Sequence, residues 1–298
     1  MITDVTLCYR EKAKQYEQRQ ILQALKRLPI DSIEMSIPIW ENISWGQLPH
    51  HRYALRITEY KDIKKYQGFS RYILSDDLKH MAGYKQSIIF NADGKKIQQR
   101  ITGDAGLSVI QMQDVFKQWH KTEIISFEPL DLSGQATALA VSWLESGGQN
   151  IVTAFNGLGC HAPLEEVLLT MHLENIKKIE GNLDFTVLQK ILPISANKPI
   201  VGKSIFAVES GIHVDGILKN PQLYEPYPPE LVGGQRQIVL GNISGKNSIE
   251  AKLKELKINY AQIDNAAILK RVKEKSRMLC RAITDKEFFD LIGWKGNV

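Results

Sequence analysis

A histidine set between two glycines is the side chain of this sequence best suited to moving a proton. Gly211-Ile-His-Val-Asp-Gly216 places His213 in a Gly-bracketed turn with an apolar residue on each side. Imidazole titrates near neutral pH and can both take and return a proton. Tyr224 follows, close to Pro226, Tyr227, Pro228 and Pro229. Its hydroxyl can add a hydrogen bond to a developing oxyanion or a bound water. Neither residue type carries a function alone: a lone His is more often buried against backbone, and a Tyr beside prolines can be pure packing. Glu209 and Asp215 flank the His as candidate supports. Cys160 and His161 have the types of a nucleophile pair, but sequence neighbours rarely face each other, and both read as loop residues. Glu128 alone offers a carboxylate to a hard cation. One carboxylate without neighbours is a poor site, and Glu128 reads as a solvent-facing loop residue.

Positioning these groups falls to short β-branched runs that alternate with helix-period segments. The strand candidates are residues 2–7, 32–37, 53–57, 71–74, 87–91, 99–103, 123–127 and 150–156. Ile21, Leu22, Leu25 and Leu28 make an apolar helical stripe between the first two. Residues 136–144 read as a helix ended by Gly147-Gly148, and Pro163 sits near the first turn of another. Alternation of this kind predicts parallel βα units and, with eight of them, a TIM (β/α)8 barrel. The barrel is short. The stretches after Leu74 and after Asn91 leave little room for crossover helices, so some outer helices are expected to be stunted.

After about residue 185 the texture changes. Residues 199–234 are rich in Pro and Gly without a sustained period and read as a linker with short helices. Helical segments follow near 246–256 and 263–278, and Thr284-Asp-Lys-Glu287 is a capping box opening a last helix through Leu291. The expected organisation is therefore a shortened α/β barrel over residues 1–185, then a linker and small helical subdomain over 186–298.

The 298 residues carry 38 Lys and Arg against 33 Asp and Glu, a net charge of +5. The two signs are mixed along the chain, which argues for solvated helix faces and against a nucleic-acid stripe. No apolar run is long enough for a membrane span, and the first residues lack the pattern of a secretory signal. The three cysteines, Cys8, Cys160 and Cys280, share no metal or redox spacing. A reducing cytoplasm is the expected location.

Residues 199–234, above all Glu209-Ser-Gly-Ile-His-Val-Asp-Gly216, resemble the segment that follows the barrel in homocitrate synthase and 2-isopropylmalate synthase. Those enzymes condense acetyl-CoA with a 2-oxo acid. In that family the His and a downstream Tyr reach the active site of a neighbouring subunit, and here they correspond to His213 and Tyr224. The first strand of the family reads Asp-x-Thr-Leu-Arg-Asp-Gly-Glu-Gln, where the Arg holds substrate and the next acid binds a divalent metal. This chain has Asp4-Val-Thr-Leu-Cys-Tyr-Arg-Glu-Lys12, with Cys8 and Tyr9 at those two positions. Arg10 is offset by one residue and is expected to point elsewhere. The family's metal-binding His-x-His corresponds to Glu128 and Leu130, and its Leu-Gly-x-His-Ser-Gly to Leu240–Gly245 with Ile243 at the His. Asn156-Gly-Leu-Gly159 keeps the family's glycine turn.

The resemblance implies a split enzyme like the two-component homocitrate synthase of some nitrogen-fixing clostridia, with this chain as the omega (C-terminal) type of subunit. It would bind no metal of its own. A homologous alpha-type partner would hold the divalent metal (Mg, Mn or Zn), and this chain would donate His213 and Tyr224 in trans. The shared site would take acetyl-CoA and 2-oxoglutarate, giving homocitrate for the nitrogenase cofactor. Two alternatives remain open at this point: a non-catalytic regulatory or scaffolding partner, and a lyase using Glu11, Glu128 and Asp131. The lost metal site should survive as a pocket where Tyr9, Glu128 and Asn156 converge.

Overall fold

The computed structural model describes all residues except 45–48, 50, 82–83, 104–105, 123–124, 177–182, 259–263 and 295–298, and the side chains of 75–81, 84, 121 and 122. The expected strand start at Glu123 and helix start at Ile263 lie outside the described residues. The chain divides into two units, Met1–Ile194 and Ser195–Val298.

In the first unit eight strands close into a barrel in sequence order: β1 (Ile2–Asp4), β2 (Ser32–Ser36), β3 (Tyr53–Ile57), β4 (Arg71–Met81), β5 (Tyr84–Asn91), β6 (Lys96–Thr102), β7 (Ile125–Glu128) and β8 (Asn150–Thr153). The expected α/β barrel is present, with one correction to its direction. β5 runs antiparallel to both β4 and β6, while the other neighbours, including β8 with β1, pair in parallel. The cause is loop length. A parallel crossover needs about a dozen residues, but residues 82–83 alone join β4 to β5, and β5 turns into β6 through Asn91-Ala-Asp-Gly94. The Asn91 Oδ1 accepts from the N–H groups of Asp93 (3.1 Å) and Lys95 (2.8 Å), and Gly94 takes the positive φ of 78° that a tight turn requires. A β-meander thus stands in for two βα units, and the stunting of the outer helices is complete there.

Elsewhere helices cover the barrel: α1 (Gln15–Arg27), α2 (Ile37–Ile43), α3 (Asp62–Lys65), α4 (Val109–Thr122), α5 (Ala136–Glu145), α6 (Leu164–Leu173) and α7 (Thr186–Ile191). The stripe Ile21, Leu22, Leu25 is the buried face of α1, and α7 packs back on α1, which carries the first unit past residue 185. Pro163 proves to be the N-cap of α6, extended at φ −62° and ψ 123°, one step before the first turn where it was expected. Trp143 of α5 anchors the sheet by donating its indole N–H to the Asn150 carbonyl at 2.9 Å. Among the described residues no helix is long and apolar enough to cross a membrane.

The second unit holds α8 (Gly211–Lys219), α9 (Lys246–Glu255), α10 (Asn265–Leu279) and α11 (Asp285–Ile292), with β9 (Ala207–Val208) paired in parallel with β10 (Gln237–Ile238). Its core joins Leu240, Ile249, Leu253, Val272, Ile283 and Phe288. The capping box at Thr284 and Glu287 is formed on both sides.

Candidate functional site

Among the described residues two places concentrate chemistry-bearing side chains, one in each unit. The first is the mouth of the barrel, at the C-terminal strand ends where barrel enzymes build their sites. Tyr9, Arg56, Arg100, Glu128, Leu130 and His161 line a cavity of about 210 Å³ there. Tyr9 reaches it because the chain leaves β1 in a 3-10 turn over Thr6–Tyr9, where sequence had suggested continued strand. The shift of element settles Arg10 as well: its guanidinium lies 3.8 Å from Glu17 on α1, and it is not among the cavity-lining residues. Cys8 hydrogen-bonds through its thiol to the Glu34 carbonyl (3.5 Å), and burial pushes that thiol up to about 12, so it stays protonated.

Glu128 and His161 require correction. The sequence placed Glu128 on a solvent-facing loop and His161 among loop residues, yet they are 6% and 1% exposed and bonded to each other, Glu128 Oε1 to His161 Nε2 at 2.8 Å. The turn Phe155–Cys160 folds back with Asn156, Gly157, Gly159 and Cys160 at positive φ, turning Cys160 outward and delivering His161 to the wall. Adjacent residues did not have to face each other; each found its own environment. The His161 Nδ1 meets the Leu158 carbonyl at 2.9 Å, and Thr102 Oγ1 donates to Glu128 at 2.5 Å. Burial alone would raise the Glu128 carboxyl, but Arg100, the bonded His161 and Arg56 hold it well below the usual carboxylate range.

Three residues that sequence reading passed over complete this wall. Glu34, fully buried, accepts from Arg56 through Nε (2.8 Å) and Nη2 (2.7 Å) and from Arg100 through Nη2 (2.7 Å). The two guanidinium groups overcome the burial that would otherwise raise the Glu34 carboxyl. A signal existed: each charge interrupts an otherwise apolar or β-forming strand, as in Ser-Ile-Glu34-Met-Ser and Tyr-Ala-Leu-Arg56-Ile. A charge in such a run must be paired if the strand is buried.

The positions equivalent to the family's metal ligands do not fit a divalent cation. Tyr9 is a phenol whose pKa burial raises further, Leu130 offers no donor atom, and Glu128 is already engaged by Thr102 and His161. The Arg56 guanidinium stands 4.0 Å from Glu128, where it would repel a cation. Among the described residues, no three His, Cys, Asp or Glu are grouped to hold a metal. Tyr9, Glu128 and Leu130 do share one cavity, whereas Asn156 is not among its lining residues: its N–H goes to Glu165 Oε2 (2.9 Å) and its side chain to the Pro193 carbonyl (3.3 Å). Glu11 and Asp131 are absent from the lining too, and Asp131 instead accepts from the Ala136 N–H (2.9 Å) at the start of α5.

The second place is α8. His213 lies in its first turn, so the segment expected to be a Gly-bracketed turn is a nine-residue helix. The helix forms because the loop carrying Ile243 and Ser244 fixes its start: Gly211 donates to the Ile243 carbonyl (3.1 Å), and Ser244 Oγ donates to the Glu209 carbonyl (3.2 Å). Gly211 and Gly245 touch backbone to backbone, a Cβ on Gly211 falling 2.5 Å from the Gly245 nitrogen. Glu209 accepts from the Ile243 N–H (3.3 Å), and Asp215 pairs with Lys219 and Asn247, both at 2.7 Å. Both acids therefore brace the helix and leave the imidazole to itself.

His213 is exposed, and its ring meets that of Tyr224 edge-on, centroids 5.9 Å apart and planes at 70°. Gly216, one turn on from His213 and on the same face, makes the approach feasible: a Cβ there would lie 2.2 Å from the Tyr224 ring. The Tyr is 45% exposed, so both polar groups are open to a reacting molecule.

Comparison with known proteins agrees with the resemblance drawn from this segment. Residues 200–278 match the family described as homocitrate synthase post-HMGL domain-like. The chain is similar to the homocitrate synthase omega subunit of Clostridium pasteurianum, 36% identical over 177 residues, covering 56% of this chain and 49% of that protein. It is also similar to homocitrate synthase AksA of Methanothermobacter thermautotrophicus, 34% identical over 171 residues, 53% of this chain and 43% of that one. A third relative is 2-isopropylmalate synthase 2 of Caldanaerobacter subterraneus subsp. tengcongensis, 37% identical over 170 residues, 53% and 44% of the two chains. The chain thus spans about half or less of the length of these relatives.

Proposed function

We propose that this chain is a subunit of a heteromeric homocitrate synthase that supplies His213 and Tyr224 to a metal-bearing partner barrel. In the condensation, the methyl of acetyl-CoA loses a proton and its carbon attacks the keto carbon of 2-oxoglutarate. Water then cleaves the thioester, releasing CoA and homocitrate. A divalent ion in the partner would polarise the keto oxygen. From this chain, His213 would move the methyl proton, and the Tyr224 hydroxyl would hydrogen-bond the developing enolate oxygen.

The observation that supports this reading is an asymmetry of fit. The barrel positions that should hold a metal are occupied by Tyr9, Leu130 and an engaged Glu128, whereas His213 and Tyr224 stand side by side and exposed. A helix braced at its start and at Asp215, with a glycine cleared for the Tyr ring, has a use if it meets a reacting substrate. Likeness to an omega subunit adds the expectation of a second chain.

The test is co-expression with a homologue carrying the intact metal motif, followed by a CoA-release assay on the purified pair. His213→Ala should lower turnover about a hundred- to ten-thousand-fold, the usual contribution of a general acid–base group, while the pair still assembles. Full activity of that variant would make His213 structural and the chain a scaffold. One tightly bound metal per isolated chain, or turnover without a partner, would also overturn the reading.

A further inference from the structure

Tyr224 is held beside His213 by more than its own ring. It follows a 3-10 turn over Pro221–Leu223, where its N–H and that of Glu225 both go to the Pro221 carbonyl at 2.9 Å. The next stretch contains Pro226, Pro228 and Pro229 and then Gly233 and Gly234, so it has few N–H donors and no long ladder to fix it. Arg236 supplies what the backbone lacks. Its Nε and Nη2 donate to the two carboxylate oxygens of Glu225, both at 2.7 Å, and its Nη1 donates to Glu230 at 2.8 Å. Glu225 is the residue after Tyr224, and its side chain is only 12% exposed. Arg236 in turn sits one residue before β10. That strand is tied to β9 by the Gln237 N–H to the Phe206 carbonyl (3.1 Å) and the Val239 N–H to the Val208 carbonyl (2.9 Å). β9 runs through Glu209 and Ser210 into α8, which carries His213. The two rings therefore stand on one base, His213 through β9 and Tyr224 through the Arg236 fork. An ion pair this open to solvent adds little stability, whereas a side-on guanidinium fixes distance and angle together.

We propose that Arg236 is the positioning residue that holds Tyr224 against His213, by clamping Glu225 and Glu230 to the strand pair from which α8 departs. Lysine in its place would keep the charge and lose the fork. The use of the clamp in condensation rests on the role proposed above for the two rings. The clamp itself belongs to this chain and can be read without a partner.

The first test is NMR of the full chain with isotope-labelled histidine, at about pH 8.5, where an ordinary imidazole is neutral. His213→Asn assigns the resonance, and Tyr224→Leu gives its position without the neighbouring ring. Arg236→Lys should move the His213 signal at least halfway toward that position while the other histidines stay in place. A signal that Arg236→Lys leaves unmoved, or that is the same with and without the Tyr224 ring, overturns the inference. Should the lysine variant fold poorly, Glu225→Gln with Arg236→Met removes both charges together and should give the same displacement. The second test is condensation by the assembled pair. Arg236→Lys should lower kcat about three- to tenfold, the worth of one hydrogen bond, and change KM by less than about twofold. In a Tyr224→Phe background it should cost nothing further, since both changes remove one interaction. A full further loss there, or an unchanged kcat where His213→Ala is inactive, overturns the positioning role. A fully active His213→Ala pair would instead sink the reading of function, and the NMR displacement would still decide the clamp.

Discussion

At the barrel mouth the inner charged groups answer one another: Glu34 holds Arg56 and Arg100, and Glu128 holds Thr102 and His161, all within 2.5–2.8 Å. On α8 the polar residues divide differently. Glu209 and Asp215 are tied to Ile243, Lys219 and Asn247, while His213 and Tyr224 face solvent with their rings in contact. Charges turned inward stabilise or position; polar groups held outward on a braced element are available to another molecule. The comparison teaches that the frame of a barrel leaves its mouth free to vary, because strand pairing and core packing do not depend on which groups line the mouth.

The comparison breaks most visibly at Glu34. If the mouth is a self-satisfied ion network, Glu34→Gln leaves the buried Arg100 and the half-buried Arg56 without the carboxylate they share. That should cost about 3–5 kcal/mol of stability in urea unfolding. Replacing Glu34, Arg56 and Arg100 together by Met, Leu and Met should be close to neutral, since well-packed apolar residues can substitute for a buried ion group. A loss below about 0.5 kcal/mol for Glu34→Gln, the range of ordinary surface changes, would show that the wall is not held this way.

How much of this was legible beforehand follows from which forces were local. The strand runs, the α1 stripe and the Thr284 capping box depend on neighbours in sequence, and each was readable. Strand direction in the meander turned on a signal that was present but unused, Asp93-Gly94 between two β runs. Glu128 and His161 were misjudged because their pairing spans the turn at Phe155–Cys160, whose run of positive φ values no local pattern announces. His213 was singled out from the sequence as a candidate, yet its helix was hidden by flanking glycines, which are poor helix formers until tertiary contacts fix the ends.

A second way to sharpen the contrast uses pH. Burial pushes the Asp4 carboxyl up to about 7, against the hydrogen bonds from Thr6 and the charge of His161, with Glu165 adding to the rise. A carboxyl raised above its unfolded value near 3.9 favours the fold fully below that value, and the contribution is lost as pH climbs through about 7. Glu128 has the opposite sign: held low, it stabilises above the ordinary value of about 4.3 and loses that only in acid. Between pH 5 and 8 the two separate, and Asp4 should lower stability by on the order of 1–3 kcal/mol. Asp4→Asn should remove that slope in urea midpoints taken across the range. An equal slope in both proteins would place the titrating group elsewhere.

The smallest effect tests whether α8 is arranged for its Tyr. Alanine is the better helix former by roughly 0.5–1 kcal/mol, so on propensity alone Gly216→Ala should strengthen α8. The new Cβ would lie 2.2 Å from the Tyr224 ring, however, and the ring must swing away. Stability of the second unit should therefore change by no more than about 1 kcal/mol, because the ring is 45% exposed and can move into solvent. Condensation by the assembled pair should fall about tenfold, the worth of one well-placed hydrogen bond of roughly 1.4 kcal/mol. Tyr224→Phe keeps the ring and removes the hydroxyl, so it should cost the same or less. The decisive arm is the double variant. If Gly216 acts through Tyr224, combining the two changes should be no worse than Gly216→Ala alone, since both remove one interaction. Additive losses would mean that Gly216 serves His213 or the backbone directly, and that the edge-on ring pair is packing.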